Sequence, residues 1–257
     1  MSLSGKVVIT TGASSGIGAA IAQVVAREGA RVVLVGRNLV NLQATQAVLV
    51  QKQGRQAGDV LIVQGDVTKD SKSIVQQTLA KFGRVDVVVN NAGVLSVGGL
   101  ADLDIEEFDR VLNTNLRGVV LLTQAALPEL LKTKGAVVNV SSVAGLRPFA
   151  GALSYGVSKA ALDQFTKITA MELAPLGVRV NSVNPGFVVT NIHSRIGIKD
   201  EVYDAIHQRA IETHPMGRVG DVLEVAEAVA FLASDKASFT TGALLPIDGG
   251  KHNLTPR

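Results

Sequence analysis

Tyr155 and Lys159 are the residues of this sequence whose types and spacing point most directly to chemistry. They stand four residues apart in what reads as the first turn of a long helix, so both side chains are expected on one helical face. A free phenol has a pKa of about 10 and holds its proton at neutral pH. A nearby ammonium favours the phenolate, although the lysine must itself be partly desolvated to act in this way. The pair therefore predicts a general acid and base for a carbonyl and alcohol couple.

The composition narrows the classes of protein to which the chain can belong. Its 257 residues include no cysteine, which excludes disulfides, zinc thiolates and cysteine nucleophiles. The net charge is +3, with basic and acidic residues interspersed, so we expect no nucleic-acid partner. No apolar run reaches membrane-spanning length, and the N-terminal residues lead straight into a β-branched run. We therefore expect a soluble, cytoplasmic protein with no membrane partner.

Seven apolar runs alternate with helical patterns along the chain. Five glycines each close a helical segment just before such a run, as glycines at helix C-termini do: Gly29, Gly54, Gly83, Gly135 and Gly177. The runs are continuously apolar, which is typical of parallel strands covered on both faces. They are Lys6–Thr11, Arg31–Val35, Val60–Gln64, Val85–Asn90, Ala136–Val140, Val178–Val183 and Ala243–Ile247. We predict one α/β domain over residues 1–257, a doubly wound seven-stranded parallel sheet of the Rossmann type with helices on both faces.

A glycine-rich loop joins the first run to the first helical segment. Its candidate binding residues are Gly12, Ser14, Ser15, Gly16, Ile17 and Gly18. Glycines at this place let a backbone approach a pyrophosphate, while the helix N-terminus supplies N–H donors. The Gly-x-Ser-x-Gly pattern also matches a hydrolase nucleophile elbow, but that elbow needs an oxyanion loop from an earlier strand, and only eleven residues precede the loop. A tight turn that binds nothing is the remaining alternative.

The end of the second run predicts which dinucleotide the loop would hold. An acidic residue about 20 positions beyond the glycines would accept the adenosine ribose hydroxyls and repel a 2′-phosphate. This chain has Gly36, Arg37 and Asn38 there instead. A planar guanidinium matches a phosphate and stacks on adenine, whereas the alternative is a solvated surface arginine. The sequence favours NADP(H) over NAD(H).

Small polar residues and glycines also follow the later strands. Because the carboxyl ends of parallel strands meet at one edge, we expect these residues to converge where such sheets bind ligands. They are Asp66 and Val67, Asn91, Ala92 and Gly93, Ser141 and Ser142, and Pro185, Gly186, Val188 and Thr190. Asp66 could bind an adenine amino group or cap the next helix, and the residues do not separate these roles. Of the two serines only one can point at Tyr155, because successive strand residues face opposite ways.

A further signal lies inside the helical pattern Ile105–Lys132. Asn113, Thr114 and Asn115 are three poor helix formers in a row, which predicts a local irregularity. A carbonyl freed there could hold a water molecule. Simple fraying of the helix is the alternative.

Taken together and in order, these motifs resemble the short-chain dehydrogenase/reductase family, in its compact single-domain branch. The resemblance covers residues 4–250. Its elements are Thr11-Gly12-x3-Gly16-x-Gly18, Asp66, Asn90-Asn91-Ala92-Gly93, Asn115, Ser142, Tyr155-x3-Lys159, Pro185-Gly186 and Gly242 with Asp248-Gly249-Gly250.

The resemblance implies a role for each site residue. Tyr155 would exchange a proton with the carbonyl or alcohol oxygen, and Ser142 would orient that oxygen. Lys159 would lower the phenol pKa and hold the nicotinamide ribose, while Asn115 would anchor a water molecule. The segment from Pro185 to Val188, with Thr190, would hold the carboxamide. The cofactor supplies the hydride chemistry.

Residues 187–219 resemble the family's substrate lid. They include His193, His207 and His214 at spacings that match no metal site, so we expect surface or lid residues and no bound metal. Val143, Phe149 and Phe187 could line an apolar substrate pocket or simply pack, and Leu146 is a further candidate. The run Gly242–Ile247 resembles the family's subunit contact and implies a homotetramer.

The sequence predicts an NADPH-dependent carbonyl reductase, reversible as an alcohol dehydrogenase, acting on a small ketone or secondary alcohol. A 3-oxoacyl-thioester reductase is the closest alternative, and Arg147 and Arg195 are its candidates for an acidic carrier protein. An epimerase or dehydratase is disfavoured because such relatives have a further substrate domain. A non-catalytic NADPH-binding sensor or scaffold would have no chemical need for the full Asn, Ser, Tyr and Lys set.

Overall fold

The computed structural model describes residues 2–190 and 200–254. Within these residues seven strands form one parallel sheet in the order β3-β2-β1-β4-β5-β6-β7. The strands are β1 (Val7–Thr11), β2 (Arg31–Gly36), β3 (Val60–Gln64), β4 (Val87–Asn90), β5 (Ala136–Val140), β6 (Arg179–Pro185) and β7 (Leu244–Ile247). The strand order reverses between β1 and β4, which places a ligand crevice at their carboxyl ends. The doubly wound sheet predicted from the apolar runs is confirmed.

Helices cover both faces of this sheet. They are α1 (Gly16–Arg27), α2 (Leu39–Ala47), α3 (Ser71–Phe82), α4 (Ile105–Leu112), α5 (Gly118–Thr133), α6 (Val143–Leu146), α7 (Leu153–Leu173), α8 (Asp200–Thr213) and α9 (Val222–Ala233). Helices α1, α2 and α9 pack on one face, and α3, α5 and α7 pack on the other. None of the helices in the described ranges has the length and apolar character that crossing a membrane requires.

The two hydrophobic cores explain why the strands read as unbroken apolar runs. Val8, Val32 and Leu34 belong to the core under α1 and α9, whereas Ile9 and Val33 belong to the core under α3 and α5. Successive strand residues point to opposite faces, and both faces are covered, so apolar residues predominate at successive positions of the strands.

One helix ends differently from the prediction. Gly29, Gly54, Gly83 and Gly177 take the expected left-handed conformation, but after α5 the left-handed residue is Lys134, with φ of 48°. Gly135 is needed for a different reason, because a Cβ there would lie 2.3 Å from the carbonyl oxygen of Asp86. The glycine permits close approach to β4 rather than a helix cap.

The predicted irregularity in the Ile105–Lys132 pattern is confirmed. Between α4 and α5 the chain forms a π-helical turn over Asn113–Arg117, in which the Gly118 N–H bonds to the Asn113 carbonyl. Such turns inside helices frequently occur at functional sites.

Buried polar side chains fix α7 against the sheet. The Asn90 amide donates to Thr123 Oγ1 at 3.1 Å and to Asn139 Oδ1 at 2.9 Å. The Asn139 amide in turn donates to Thr166 Oγ1 on α7 at 2.9 Å. These bonds connect β4, β5, α5 and α7, so they position the helix that holds Tyr155 and Lys159.

Candidate active site

Helix α7 places Tyr155 and Lys159 together at the carboxyl edge of the sheet, as predicted. Lys159 is buried, and its Nζ lies 5.7 Å from the centroid of the Tyr155 ring. The same Nζ donates a hydrogen bond of 2.8 Å to the carbonyl oxygen of Val140, at the end of β5. Both side chains line one cavity of about 370 Å³.

The electrostatics of the pair differ from the sequence expectation. Burial raises the pKa of the Tyr155 hydroxyl, the negative charge of Asp163 raises it further, and hydrogen bonding with Ser142 opposes the rise. Burial also lowers the pKa of Lys159 to about 8, against the opposing charge of Asp163. The phenol pKa is raised, not lowered as the sequence predicted, because desolvation by burial has the largest effect on it. Tyr155 is therefore protonated at neutral pH and suited to donating a proton.

Asp163 is a functional candidate that the sequence reasoning missed. Its side chain is buried, and both carboxylate oxygens accept from the Asn184 amide at 3.0 Å. Burial raises the pKa of Asp163, while the Ser141 and Asn184 hydrogen bonds and the charge of Lys159 lower it. It stands four residues after Lys159 and eight after Tyr155, so helical spacing alone could have found it.

The structure separates the two candidate serines. Ser142 Oγ accepts from the Ala144 N–H at 3.1 Å at the start of α6, and hydrogen bonding between its side chain and Tyr155 lowers the phenol pKa. Ser141 Oγ instead donates to the carbonyl oxygen of Lys159 at 3.3 Å. Ser142 is thus the serine that faces the phenol.

Asn115 lies within the π-helical turn and is fully buried. Its side chain bonds both backbone groups of Val94, accepting at 2.8 Å and donating at 2.9 Å, and also donates to Ser158 Oγ at 3.0 Å. Asn115 thus connects the loop after β4 to helix α7 through hydrogen bonds. Its implied role in holding a water molecule stays a prediction.

The glycine loop is packed tightly against the end of β4. A Cβ on Gly12 would lie 2.7 Å from Asn91 Nδ2, and a Cβ on Gly18 would lie 2.2 Å from the Gly12 carbonyl oxygen. Thr11 Oγ1 accepts from the N–H groups of Asn91 and Ala92, both at 2.9 Å. Small residues are therefore required here by packing as well as by any bound phosphate.

The predicted cofactor residues line two neighbouring cavities, which share Gly93. The first has about 610 Å³ and is lined by Gly12, Ser14, Arg37, Asn38, Asp66, Val67, Ala92 and Gly93, among others. The second, the cavity of Tyr155, also contains Ile17, Asn91, Lys159, Pro185, Gly186, Val188 and Thr190. Ser15, Gly16 and Gly18 line neither, although a Cβ on Gly16 would touch Thr190 at 3.3 Å. Two adjoining cavities with these donors fit a dinucleotide that runs across the β1 and β4 strand ends.

Arg37 and Asp66 both line the first cavity, here called the outer cavity. Burial would raise the pKa of Asp66, but hydrogen bonds from Thr68 and the charge of Arg37 lower it. Asp66 Oδ1 accepts from the Thr68 N–H at 2.9 Å and its hydroxyl at 2.8 Å, so it stabilises the turn before α3 and does not cap the helix. Arg37 itself is exposed, beside the N-terminus of α2.

The predicted substrate residues Val143, Phe149 and Phe187 all line the cavity of Tyr155. Of the lid histidines, His207 stacks edge-on with Phe187 at 6.0 Å between ring centroids. His214 is buried, and its Nε2 accepts from the Phe187 N–H at 3.1 Å. His193 and Arg195 lie outside the described residues. No cluster of three possible metal ligands occurs within those residues.

Comparison with known proteins identifies the family. The family model described as Enoyl-(Acyl carrier protein) reductase matches residues 12–252. The chain is 40% identical over 253 residues to 3-oxoacyl-[acyl-carrier-protein] reductase FabG of Thermotoga maritima. The aligned region covers 97% of this chain and 99% of the relative. The chain belongs to the short-chain dehydrogenase/reductase family.

Solved structures of the family agree over the whole fold. Levodione reductase superposes with a TM-score of 0.93 at 32% identity, covering 98% of this chain and all of that one. The 3-ketoacyl-(acyl-carrier-protein) reductase of Brucella melitensis, solved in complex with NADH, gives a TM-score of 0.89 at 33% identity, covering 98% of this chain and 100% of that chain. As a member of this family, the protein is a nicotinamide-dependent oxidoreductase of C=O and CH–OH groups.

Proposed function

We propose that this protein is an NADPH-dependent carbonyl reductase, reversible as an alcohol dehydrogenase. The observation that supports it best is that Ser142, Tyr155 and Lys159 line one mostly apolar cavity. This cavity adjoins the outer cavity, which is lined by Arg37. With a volume of about 370 Å³, part of which the nicotinamide would take, this cavity suits a small ketone.

The residues divide the work of the reaction as follows. NADPH, when bound, supplies the hydride. Tyr155 keeps its proton at neutral pH and donates it to the carbonyl oxygen, while the Ser142 hydroxyl orients that oxygen. Lys159 uses one of its three N–H donors on Val140, which leaves two for the hydroxyls of the nicotinamide ribose. In the reverse direction Tyr155 accepts the proton of the alcohol.

The preference for NADPH rests on Arg37. The guanidinium is exposed at the outer cavity, and no carboxylate follows Gly36 at the end of β2. Arg37→Asp should weaken NADPH binding by about tenfold or more, since a bidentate phosphate contact is lost and repulsion is added, and should weaken NADH binding far less. The measurement is a binding titration of both cofactors. Unchanged discrimination between the two would refute this assignment.

The reaction is tested by consumption of reduced cofactor over a panel of small ketones, diketones, steroids and acyl thioesters. We expect turnover of at least one ketone class, faster with NADPH than with NADH. A protein that binds NADPH but reduces nothing on the panel would support the non-catalytic sensor and contradict the proposal.

A 3-oxoacyl-thioester reductase is the second candidate, supported by the near full-length similarity to the FabG of Thermotoga maritima. It would need a basic entrance for an acidic carrier protein. Arg147 is fixed in place by its Nη1 group, which donates to the carbonyl oxygens of Lys251 and Leu254, both at 2.7 Å, so a single immobilised cation would have to serve as this entrance within the described residues. Comparing kcat/KM for an acyl carrier thioester with that for its pantetheine thioester separates the candidates, since only a carrier-dependent enzyme prefers the former.

A homotetramer is the proposed assembly. Apolar side chains that a monomer would leave in water include Phe239, which is fully exposed next to β7, and Met171, which is 80% exposed on α7. Burial of these faces against further copies would remove them from water. Light scattering after size exclusion tests the assembly. The cytoplasmic location stays a prediction.

A further inference from the structure

The cavity of Tyr155, here called the substrate cavity, has an unexpected charge in its lining. The cavity is lined mostly by apolar side chains, such as Val97, Phe149 and Ile206. Apart from Lys159, Lys251 is its one charged lining residue within the described part of the chain. A cation in a small apolar pocket is costly, so its presence there needs a reason.

Lys251 is held in place from two sides. It begins a short 3-10 turn after β7 and is half-buried, and its Nζ donates to Thr213 Oγ1 at 3.0 Å. The same Nζ lies 5.5 Å from the centroid of the Phe149 ring, while the Arg147 guanidinium lies 5.8 Å from that ring. Two cations therefore flank one aromatic side chain of the substrate cavity.

Among the residues whose side chains the structure describes, 2–190 and 204–254, no salt bridge joins a carboxylate to Arg147, Lys251 or the neighbouring Arg209 of α8. Asp248 is the nearby acid, but its oxygens accept from the N–H groups of Gly250 at 3.0 Å and His252 at 2.6 Å, and from His252 Nδ1 at 2.9 Å.

Burial and this imbalance of charge together lower the pKa of Lys251. Burial lowers its pKa, the positive charges of Arg147 and Arg209 lower it further, and Asp248 only partly compensates. An anion bound beside Nζ would relieve this repulsion and replace the water that burial has removed. An ammonium has three donors, and Thr213 takes one of them.

We infer that the pocket selects substrates with a carboxylate group at the end opposite the reacting carbonyl, and that Lys251 is the residue that recognises it. The substrate class is thus a small keto acid or the corresponding hydroxy acid. This inference rests on the proposed carbonyl reduction at Tyr155 and specifies its substrate. Phe149, whose ring contacts Lys251, contributes apolar surface to the same cavity.

The test compares keto acids of increasing chain length with their primary amides, which have the same shape but no charge. For the best chain length, the wild-type protein should show kcat/KM at least about tenfold higher for the acid, because the amide cannot form the charge-assisted hydrogen bond to Lys251. Lys251→Met should remove this preference mainly through KM and leave the amide unaffected. Lys251→Arg should retain it.

Lys72→Met, which removes an exposed charge on α3, is the matched control and should change neither rate. Binding of NADPH to each variant checks that it is folded. Equal kcat/KM for acid and amide in the wild-type protein, with reduction of both, would overturn the inference and leave the proposed reaction intact. Absence of reduction of any ketone, acid or amide would instead refute the proposed reaction, and the inference with it.

Discussion

Replacing Lys159 by methionine is expected to abolish turnover and yet to stabilise the fold at neutral pH. The ammonium is buried, and burial lowers its pKa from 10.5 to about 8 despite the charge of Asp163. The folded protein therefore holds this proton less tightly than the unfolded chain does. Below pH 8 the charged amine costs stability, and the cost disappears as the pH rises from about 8 to about 10.5.

The size of the effect follows from the same values. Each pKa unit corresponds to about 1.36 kcal/mol, so the lowering to about 8 corresponds to a cost of about 3 kcal/mol at pH 7. Methionine forfeits the hydrogen bond to the Val140 carbonyl, which offsets about 1 kcal/mol of the gain. We expect a net stabilisation of about 2 kcal/mol at pH 7, shrinking by about 2 kcal/mol between pH 8 and pH 9.5.

The assay is urea unfolding at a fixed protomer concentration, followed by far-ultraviolet circular dichroism at a series of pH values. Lys72→Met, at an exposed position on α3, serves as the control and should differ from the wild-type protein by the same small amount at every pH. A Lys159→Met variant whose difference from wild type is constant between pH 7 and pH 9.5 would show that burial does not perturb this lysine.

Two other predictions concern residues that support the site. The negative charge of Asp163 raises the pKa of both Lys159 and Tyr155, and Asp163→Asn removes it. The alkaline limb of the pH profile of kcat/KM for the cofactor should therefore move to lower pH. A profile identical to that of the wild-type protein would exclude this coupling. Burial lowers the pKa of His214, and the charge of Lys251 lowers it further, whereas the hydrogen bond to Ala210 and the charge of Asp248 raise it; the net direction is down. Because the unfolded chain then binds this proton more readily than the folded protein, wild-type stability should fall as the pH drops below about 6.5. His214→Gln should lose less on the same acidification, and thermal unfolding at several pH values measures the difference.

Much of the fold was predictable because its signals are local. Parallel strands covered on both faces appear as continuous apolar runs, and glycines mark where most of the preceding helices end. The first and last residues of each strand were harder to predict. The apolar run that starts at Val85, for example, forms a strand only from Val87. Lys134, not Gly135, is the left-handed residue after α5, and Gly135 is required instead by its close approach to the Asp86 carbonyl, a contact that sequence spacing does not contain.

The candidate site likewise has some features that the sequence predicts and others that depend on tertiary packing. Residues at the carboxyl ends of strands must meet at one edge, so the convergence of Ser142, Tyr155 and Lys159 was predictable. The burial that raises the phenol pKa and the bond from Lys159 to Val140 depend on how α7 packs against β5. Lys251 lies almost a hundred residues beyond Tyr155, and nothing in its local sequence places it in the same cavity.

The most direct test of the proposed chemistry is the replacement of Tyr155 by phenylalanine, which removes only the hydroxyl group. Cofactor binding and single-turnover reduction of the best ketone are measured on the same preparation. We expect NADPH affinity to be retained and the rate of reduction to fall by about 10²–10⁴-fold, the usual contribution of a positioned general acid. A variant that binds NADPH and still reduces the ketone at more than about one tenth of the wild-type rate would contradict the assignment of Tyr155 as the proton donor.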